Sequence, residues 1–313
     1  MQPLVSIVIP NWNGRDFIAR CLAGTLQSAQ ESGCPYECIV VDDASNDGSP
    51  EIVERNFSRV RLIRQSVNRG FGATVNEGAN AASGEILVCL NNDLVPKGPL
   101  IRELVLPLVE NHALFGVSGK TVDWKDGTAN HLNMAAQWYG GELHLTHENS
   151  KAPAPTMFLQ GGCCAMRRAE FLSFGGFSAL FAPGYWEDYD VSYLALKAGW
   201  QNLYNPHALA YHFGGGSMRR ALGEDGLRIV QERNRHLFVL ANMTDERWLG
   251  EYYRTLPRRV AFAREPRLRV RAAALAETLK RLRQIQDLRA ARAKWQKRTD
   301  HEVFGQFALH GKT

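Results

Sequence analysis

The chain has 313 residues, of which 45% are hydrophobic and 22% charged, the composition of a folded globular protein long enough for one large domain or two smaller ones. No run approaches the roughly 18 consecutive apolar residues of a membrane-spanning helix. The net charge of +5 is uneven: residues 251–300 hold 15 Lys and Arg against 5 Asp and Glu, a net +10, so the rest of the chain sums to −5. A basic tail on a neutral-to-acidic body points to an anionic partner for the tail. The acidic body argues against a nucleic-acid binder. The apolar run Leu4–Ile9 is short and has no basic leader, so a cytoplasmic chain is expected. The six cysteines form no Cys-x-x-Cys pair and read as small, reduced core residues rather than a zinc site or disulfide framework.

In chain order, Val5–Ile9 reads as a buried strand closed by Pro10. A helix follows over Asp16–Ser28, with Phe17, Ile18, Cys21, Leu22 and Leu26 on one face. Cys38–Val41 is a second strand ending in Asp42-Asp43, and Ser49-Pro50 starts the next helix, because proline suits the first helical position. Val60–Ile63 is a third strand, and the turn Asn68-Arg69-Gly70-Phe71-Gly72 opens a small-residue helix to Ala82. Glu85–Leu90 is a fourth strand that delivers Asn91-Asn92-Asp93, with Pro96 stopping the strand. This alternation predicts a mostly parallel sheet with helices on both faces. Right-handed crossovers would gather Asn11 and Asn13, Asp42 and Asp43, and Asn91 to Asp93 on one edge, where open α/β sheets bind ligands.

Residues 112–160 look like extended strands with a hairpin at Gly140-Gly141. Arg168–Phe174 is a short helix, and Asp188–Ala198 is a longer one ending at Gly199. Leu209–Phe213 is a short strand that runs into Gly214-Gly215-Gly216. Beyond about residue 225 the pattern is helical, with Leu275, Leu279, Leu282 and Ile285 at helical spacing. The expected organisation is a catalytic unit over 1–225 and a helical basic region over 226–313.

Several clusters can carry chemistry. Asp93 with neighbouring amides suits a hard divalent cation that draws its other ligands from phosphates and water. Asp42 can accept from a base N–H or a ribose hydroxyl, although a helix-capping turn explains it equally. Arg69, with backbone N–H groups at a helix start, suits a phosphate; a solvated arginine is the alternative. Its turn does not fit the dinucleotide fingerprint G-x-G-x-x-G. In Gly184-Tyr185-Trp186-Glu187-Asp188-Tyr189-Asp190, the aromatic rings form a partly dry wall that raises a carboxylate toward the pKa of a general base. They also offer faces for a sugar ring. Asp190 reads as an acid placed for the helix dipole. His212 suits a second metal or phosphate contact beside the glycine run. Arg233 and Arg235 can reach a pyrophosphate or form a solvated helix face.

Together these motifs resemble the family 2 inverting glycosyltransferases of the GT-A fold, in particular the bacterial rhamnosyltransferase-like branch. The resemblance covers about residues 4–240. It rests on Ser6-Ile7-Val8-Ile9-Pro10-Asn11-Trp12-Asn13-Gly14, Val41-Asp42-Asp43-Ala44-Ser45-Asn46-Asp47-Gly48-Ser49, the Asn68–Gly72 turn, Leu90-Asn91-Asn92-Asp93, Glu187-Asp188-Tyr189-Asp190, and His212 with Ser217. It implies a Rossmann-like, mostly parallel sheet flanked by helices, with a C-terminal helical extension.

The resemblance also implies a nucleotide-binding set of Pro10, Asn11, Asn13, Asp42, Asp43, Arg69, Gly70 and Asn92. Asp93 matches the last acid of the family's Asp-x-Asp motif and would hold Mg2+ or Mn2+, with His212 beside it. Asp188 matches the catalytic base of the Glu-Asp motif, and Tyr185, Trp186 and Glu187 would shape the acceptor or sugar site. The departure is Asn91, where many members carry the first Asp. The implied activity moves a sugar, with inversion, from a UDP- or dTDP-sugar donor to a hydroxyl of a glycan or polyprenyl-linked acceptor in cell-envelope polysaccharide synthesis. The basic C-terminal helix would bind an anionic membrane at the inner face of the plasma membrane, or else pack internally or in an oligomer. Two alternatives are a nucleotidyltransferase and an inactive sugar- or nucleotide-binding protein. Asn11-Trp12-Asn13-Gly14 stands where the first would carry a Gly-rich basic loop, and the presence of Asp188 speaks against the second.

Overall fold

The computed structural model describes residues 2–214, 217–261 and 266–307. The amino-terminal half alternates β1 (Val5–Asn11), α1 (Ile18–Ser32), β2 (Tyr36–Asp42), α2 (Ser49–Asn56), β3 (Arg61–Arg64), α3 (Phe71–Ala81) and β4 (Ile86–Leu90). Then come β5 (Leu94–Lys97), α4 (Leu100–Glu110), β6 (Leu114–Asp123), β7 (Ala129–His131), the hairpin β8 (Asn133–Tyr139) and β9 (Glu142–Glu148), and β10 (Ala154–Pro155). The remainder is β11 (Cys163–Arg167), α5 (Arg168–Ser173), α6 (Glu187–Lys197), β12 (Gln201–His212), α7 (Ser217–Asn242), α8 (Glu246–Ala261), α9 (Pro266–Leu279), α10 (Leu282–Arg292) and α11 (Asp300–Gly305).

The main sheet runs β10-β12-β6-β11-β4-β1-β2-β3, and its β4-β1-β2-β3 end is wholly parallel. These strands are apolar on both faces because helices cover both. Val5, Ile7 and Ile9 pack with α1, α2 and α4, whereas Val8, Ile39 and Val41 pack with α3, α5 and α6. Chain order reverses between β1 and β4, so the ends of these two strands flank the topological switch point. The expected edge, where open α/β sheets bind ligands, is therefore present.

Two expectations are corrected. Pro96 does not stop a strand; it lies inside β5, opposite Ala210 of β12. A proline fits there because β5 pairs on one side only, which leaves its missing donor without a ladder position to fill. The strand expected over Leu209–Phe213 is the end of the twelve-residue β12. Its polar start was hidden by Asn202 and Asn205. Both are buried, and their amides bond to Ser192 O at 3.2 Å and Glu103 O at 2.9 Å.

The C-terminal helices close over α6 and the β8–β9 hairpin in one apolar cluster that includes Tyr193, Phe238, Trp248, Ile285 and Phe304. Part of the positive charge of this region has an internal use. Arg289 donates to Leu240 O and Met243 O at 2.8 and 2.7 Å, and Arg298 to Gly199 O at 2.9 Å, satisfying carbonyls at the ends of α7 and α6. Arg292 meets Asp190 through two bonds of 2.6 Å, and Lys197 meets Asp300 at 2.8 Å, both pairs buried. Asp190 is thus the partner of a remote arginine rather than merely a dipole acid. Among the described residues no helix is long and apolar enough to cross a membrane. All six cysteines are free, and burial pushes the Cys38 and Cys163 thiols up to about 12, as befits core residues.

Candidate active site

The strand ends at the switch point are tied together by side chains. Asn11, with no exposed surface, donates to Asp42 Oδ1 and Ser49 Oγ at 2.8 Å each, and its own Oδ1 accepts from Asn92 Nδ2 at 2.8 Å. One amide therefore brackets the ends of β1, β2 and β4. Asp42 also accepts from Ser45 N at 3.0 Å. Asn13, in the left-handed region at φ 52°, donates through its backbone to Ser45 Oγ at 2.8 Å and accepts from Asn46 N at 3.0 Å. Pro10, half-buried at the end of β1, sits beside Val41.

Asp43 organises the glycine turn. Its two carboxylate oxygens accept from the backbone N–H of Arg69 at 2.7 Å and of Gly70 at 2.9 Å. Burial raises its pKa against the opposing pull of those donors. Gly70 has φ +86°, and a Cβ there would lie 2.6 Å from Pro183 O, so only glycine fits. Phe71 N donates to the same carbonyl at 3.3 Å. The turn thereby rests on the loop that carries Tyr185 to Asp188. Arg69 is exposed, with Glu77 at 3.7 Å.

After β4 the chain turns so that Asp93, mostly buried, meets His212 from the end of β12, with Oδ2 and Nε2 3.3 Å apart. Phe213 N donates to Asp93 O at 3.0 Å and fixes the two strand ends side by side. Burial acts to lower the imidazole pKa, but the Asp93 hydrogen bond and the charges of Asp93 and Asp123 hold it above its ordinary value. Among the described residues no cluster of three or more His, Cys, Asp or Glu converges, so a cation at this edge would meet the Asp93–His212 pair and take its other ligands from outside the protein.

Asp188 is the second residue of α6. It accepts from Gly161 N at 2.9 Å and from Tyr189 N at 2.9 Å. Desolvation nevertheless raises its pKa to about 6, outweighing these donors. Glu187 is buried, its Oε2 has no hydrogen-bond partner, and desolvation together with the neighbouring Asp188 charge pushes its pKa well above the carboxylate range. Before them, Tyr185 and Trp186 sit in the left-handed region at φ 71° and 76°. For bulky residues that costs about 1–3 kcal/mol each, so the surroundings must impose it. Tyr185 is 39% exposed, while the Trp186 ring packs on Tyr189 and Phe238 at 5.1 and 5.4 Å.

Sequence reasoning missed the link between the two halves. Gly161 and Gly162 run between them: a Cβ at Gly162 would lie 2.4 Å from the Asn91 side chain, and one at Gly161 would lie 3.0 Å from Asp188 Cβ. The two adjacent glycines ahead of the apolar Cys163–Met166 run were the available signal. Gly161 and Gly162 therefore lie between Asp188 and Asn91, the residue that leads into Asn92 and Asp93, and Asn91 N donates to Gly162 O at 2.9 Å. The structure does not bring Arg233 and Arg235 to a phosphate. Arg233 is buried and donates to Ala182 O, and Arg235 donates to Leu143 O.

Comparison with known proteins bears on the family and the fold. The chain is 25% identical over 240 residues to the N-acetylglucosaminyl-diphospho-decaprenol L-rhamnosyltransferase of Mycobacterium tuberculosis, covering 68% of this chain and 76% of the relative. It is 31% identical over 116 residues to the undecaprenyl-phosphate 4-deoxy-4-formamido-L-arabinose transferase of Proteus mirabilis, covering 36% of each. GalNAc-T7, crystallised with UDP, GalNAc and Mn2+, superposes with a TM-score of 0.70 at 15% identity, over 98% of this chain and 57% of that one. A Pyrobaculum calidifontis mannosyltransferase in complex with GDP-Man and Mn2+ gives a TM-score of 0.53 at 19% identity, over 94% of this chain and 86% of that one. At these identities the solved structures speak for the fold, which is GT-A. Residues 6–174, more than half of the chain, match the model of glycosyl transferase family 2, and the chain belongs to that family.

Proposed function

We propose that the protein is a metal-dependent, inverting glycosyltransferase that moves a sugar from a nucleoside-diphosphate donor to a hydroxyl of a polyprenyl-linked or glycan acceptor in cell-envelope synthesis. The observation that carries the reading is the placement of Asp188. It is a carboxylate with a pKa near 6 at a helix start, across a glycine strip from the strand ends that carry Asn92 and Asp93. A base of that pKa is ionised at neutral pH yet still basic enough to take a proton in the transition state.

Pro10, Asn13, Asp42 and Asn92 line the nucleoside side. Asn11 and Asp43, expected as nucleotide contacts, support the site from below. The amide of Asn11 is spent on the bracket, and Asp43 on the turn that presents Arg69 and Gly70 to the diphosphate. The Asp93–His212 pair fits a divalent cation, because an oxygen and an imidazole nitrogen already face one another at 3.3 Å and phosphate oxygens can complete the shell. Mg2+ or Mn2+ held there supplies positive charge against the departing diphosphate. Asp188 takes the acceptor proton on the face of the sugar opposite the leaving group, so a single displacement inverts the anomeric carbon. Tyr185 and Glu187 border the acceptor.

The names of the relatives, with their decaprenol- and undecaprenyl-linked sugars, support a lipid-linked acceptor, and UDP- or dTDP-sugars are the donors to try first. For the membrane, the corner between α9 and α10 presents exposed Leu279 and Leu282 beside the cations Lys280 and Arg283. That pairing of apolar and basic groups suits an anionic bilayer surface at the inner face of the plasma membrane.

A thermal-shift panel of nucleotide sugars with and without Mn2+ tests the assignment. Stabilisation by at least one nucleotide sugar is expected, increased by Mn2+ in the wild type but not in Asp93→Asn. Absence of any nucleotide response would reject the reading.

A further inference from the structure

Helix α7 grips the backbone of the loop ahead of Asp188. Asn234, with no exposed surface, aims one amide nitrogen at three carbonyls of that loop: Phe181 O at 2.9 Å, Gly184 O at 2.9 Å and Tyr185 O at 2.7 Å. Its own Oδ1 accepts from Arg233 Nε at 2.9 Å, and Arg233 Nη2 donates to Ala182 O at 2.5 Å. Two neighbouring side chains thus direct donors at four carbonyls of residues 181–185, and Phe181 O also accepts from Gly184 N at 3.1 Å, so the two Nδ2 hydrogens have Gly184 O and Tyr185 O left to answer. On the far side of the loop, Pro183 O accepts from Phe71 N at 3.3 Å.

The grip lands where the backbone is least favourable. Tyr185 and Trp186 are consecutive left-handed aromatics, and Asp188 lies two residues beyond them. Left-handed residues turn the preceding carbonyls to one side, and buried carbonyls need donors. Only an amide answers the whole arrangement: Nδ2 gives two hydrogens to the carbonyls while Oδ1 receives the guanidinium. A carboxylate of the same shape would set an oxygen against three oxygens.

We propose that Asn234, oriented by Arg233, is a positioning residue for Asp188. It holds Tyr185 and Trp186 in the left-handed conformation and so fixes where α6 begins and where the Asp188 carboxylate stands. The inference rests on Asp188 being the base. It predicts a selective loss, because a small misplacement of a catalytic group costs turnover, while the Arg69-Gly70 turn, which touches this loop at Pro183 O, is also held by the Asp43 carboxylate.

The test compares the wild type with Asn234→Asp and with the smaller donor Asn234→Ser, in the full chain. Three measurements are made on each preparation: hydrogen exchange of the peptide spanning residues 181–190, the dissociation constant of UDP or dTDP with Mn2+, and release of nucleoside diphosphate from the nucleotide sugar that binds best, with acceptor present. The expected result in both variants is exchange at least tenfold faster over 181–190, nucleotide affinity within twofold of wild type, and a kcat lower by about 10²-fold at unchanged donor KM. Unchanged exchange over 181–190 overturns the proposal. So does a kcat within twofold of wild type despite faster exchange, and so does nucleotide binding lost in step with turnover, which would mark a general folding role. If the wild type itself transfers no sugar, the enzymatic reading fails, while the exchange measurement still decides whether Asn234 holds the loop.

Discussion

The two banks of the site are built by opposite means. On the donor bank, side chains bond side chains at the ends of parallel strands: Asn11 to Asp42, Ser49 and Asn92, and Asp93 to His212. On the base bank, buried side chains bond backbone, and the backbone is strained: Asn234 and Arg233 hold the loop, Gly161 N touches Asp188, and Arg292 secures Asp190 from 102 residues away. The first bank is a shelf of interlocked side chains, which suits the charged donor proposed above. The second keeps a carboxylate in a dry position that raises its pKa, at a cost met by contacts from elsewhere in the chain.

If the banks divide the labour in this way, Asp188→Asn should lower transfer by about 10²–10⁴-fold while nucleotide binding stays within twofold, measured on one preparation. Loss of binding together with transfer would merge the two banks. The next largest effect falls on stability. Arg292→Met leaves Asp190 buried without its cation, and denaturant unfolding should report a loss of about 3–5 kcal/mol. A loss under about 1 kcal/mol would mean that the C-terminal helices do not brace α6.

The pH dependence of the base bank differs in sign between stability and turnover. The folded pKa of Asp188 lies above its unfolded value, so its stabilising contribution is complete at low pH and is lost as pH rises through about 6. Asp188→Asn should therefore be more stable than the wild type at pH 8, by on the order of 1 kcal/mol, and equal to it near pH 4. Turnover should run the other way, falling as pH drops through about 6. The smallest effect belongs to the membrane: Leu279→Ser with Leu282→Ser should weaken binding to vesicles containing anionic lipid by about tenfold without changing nucleotide affinity.

The same contrast explains what the sequence made legible. The donor bank is written in short motifs at strand ends, where an apolar run followed by Asp or Asn has few other uses. Asp42, Arg69 and Asp93 could be placed by chain order alone, although the bracketing role of Asn11 could not. The base bank is assembled from residues 26 to 104 positions away from Asp188, and nothing local marks them. Gly161 and Gly162 look like a loop, Arg233-Asn234 like a solvated helix face, and Arg292 like one more cation in a basic tail. Pro96 misled because edge pairing is a property of the sheet rather than of the residue.

The central claim is a single displacement assisted by Asp188, and the anomeric configuration of the product tests it most directly. Proton NMR of the glycoside formed from a donor of known configuration should show inversion. Retention would require a protein nucleophile in place of a base, and would contradict the account.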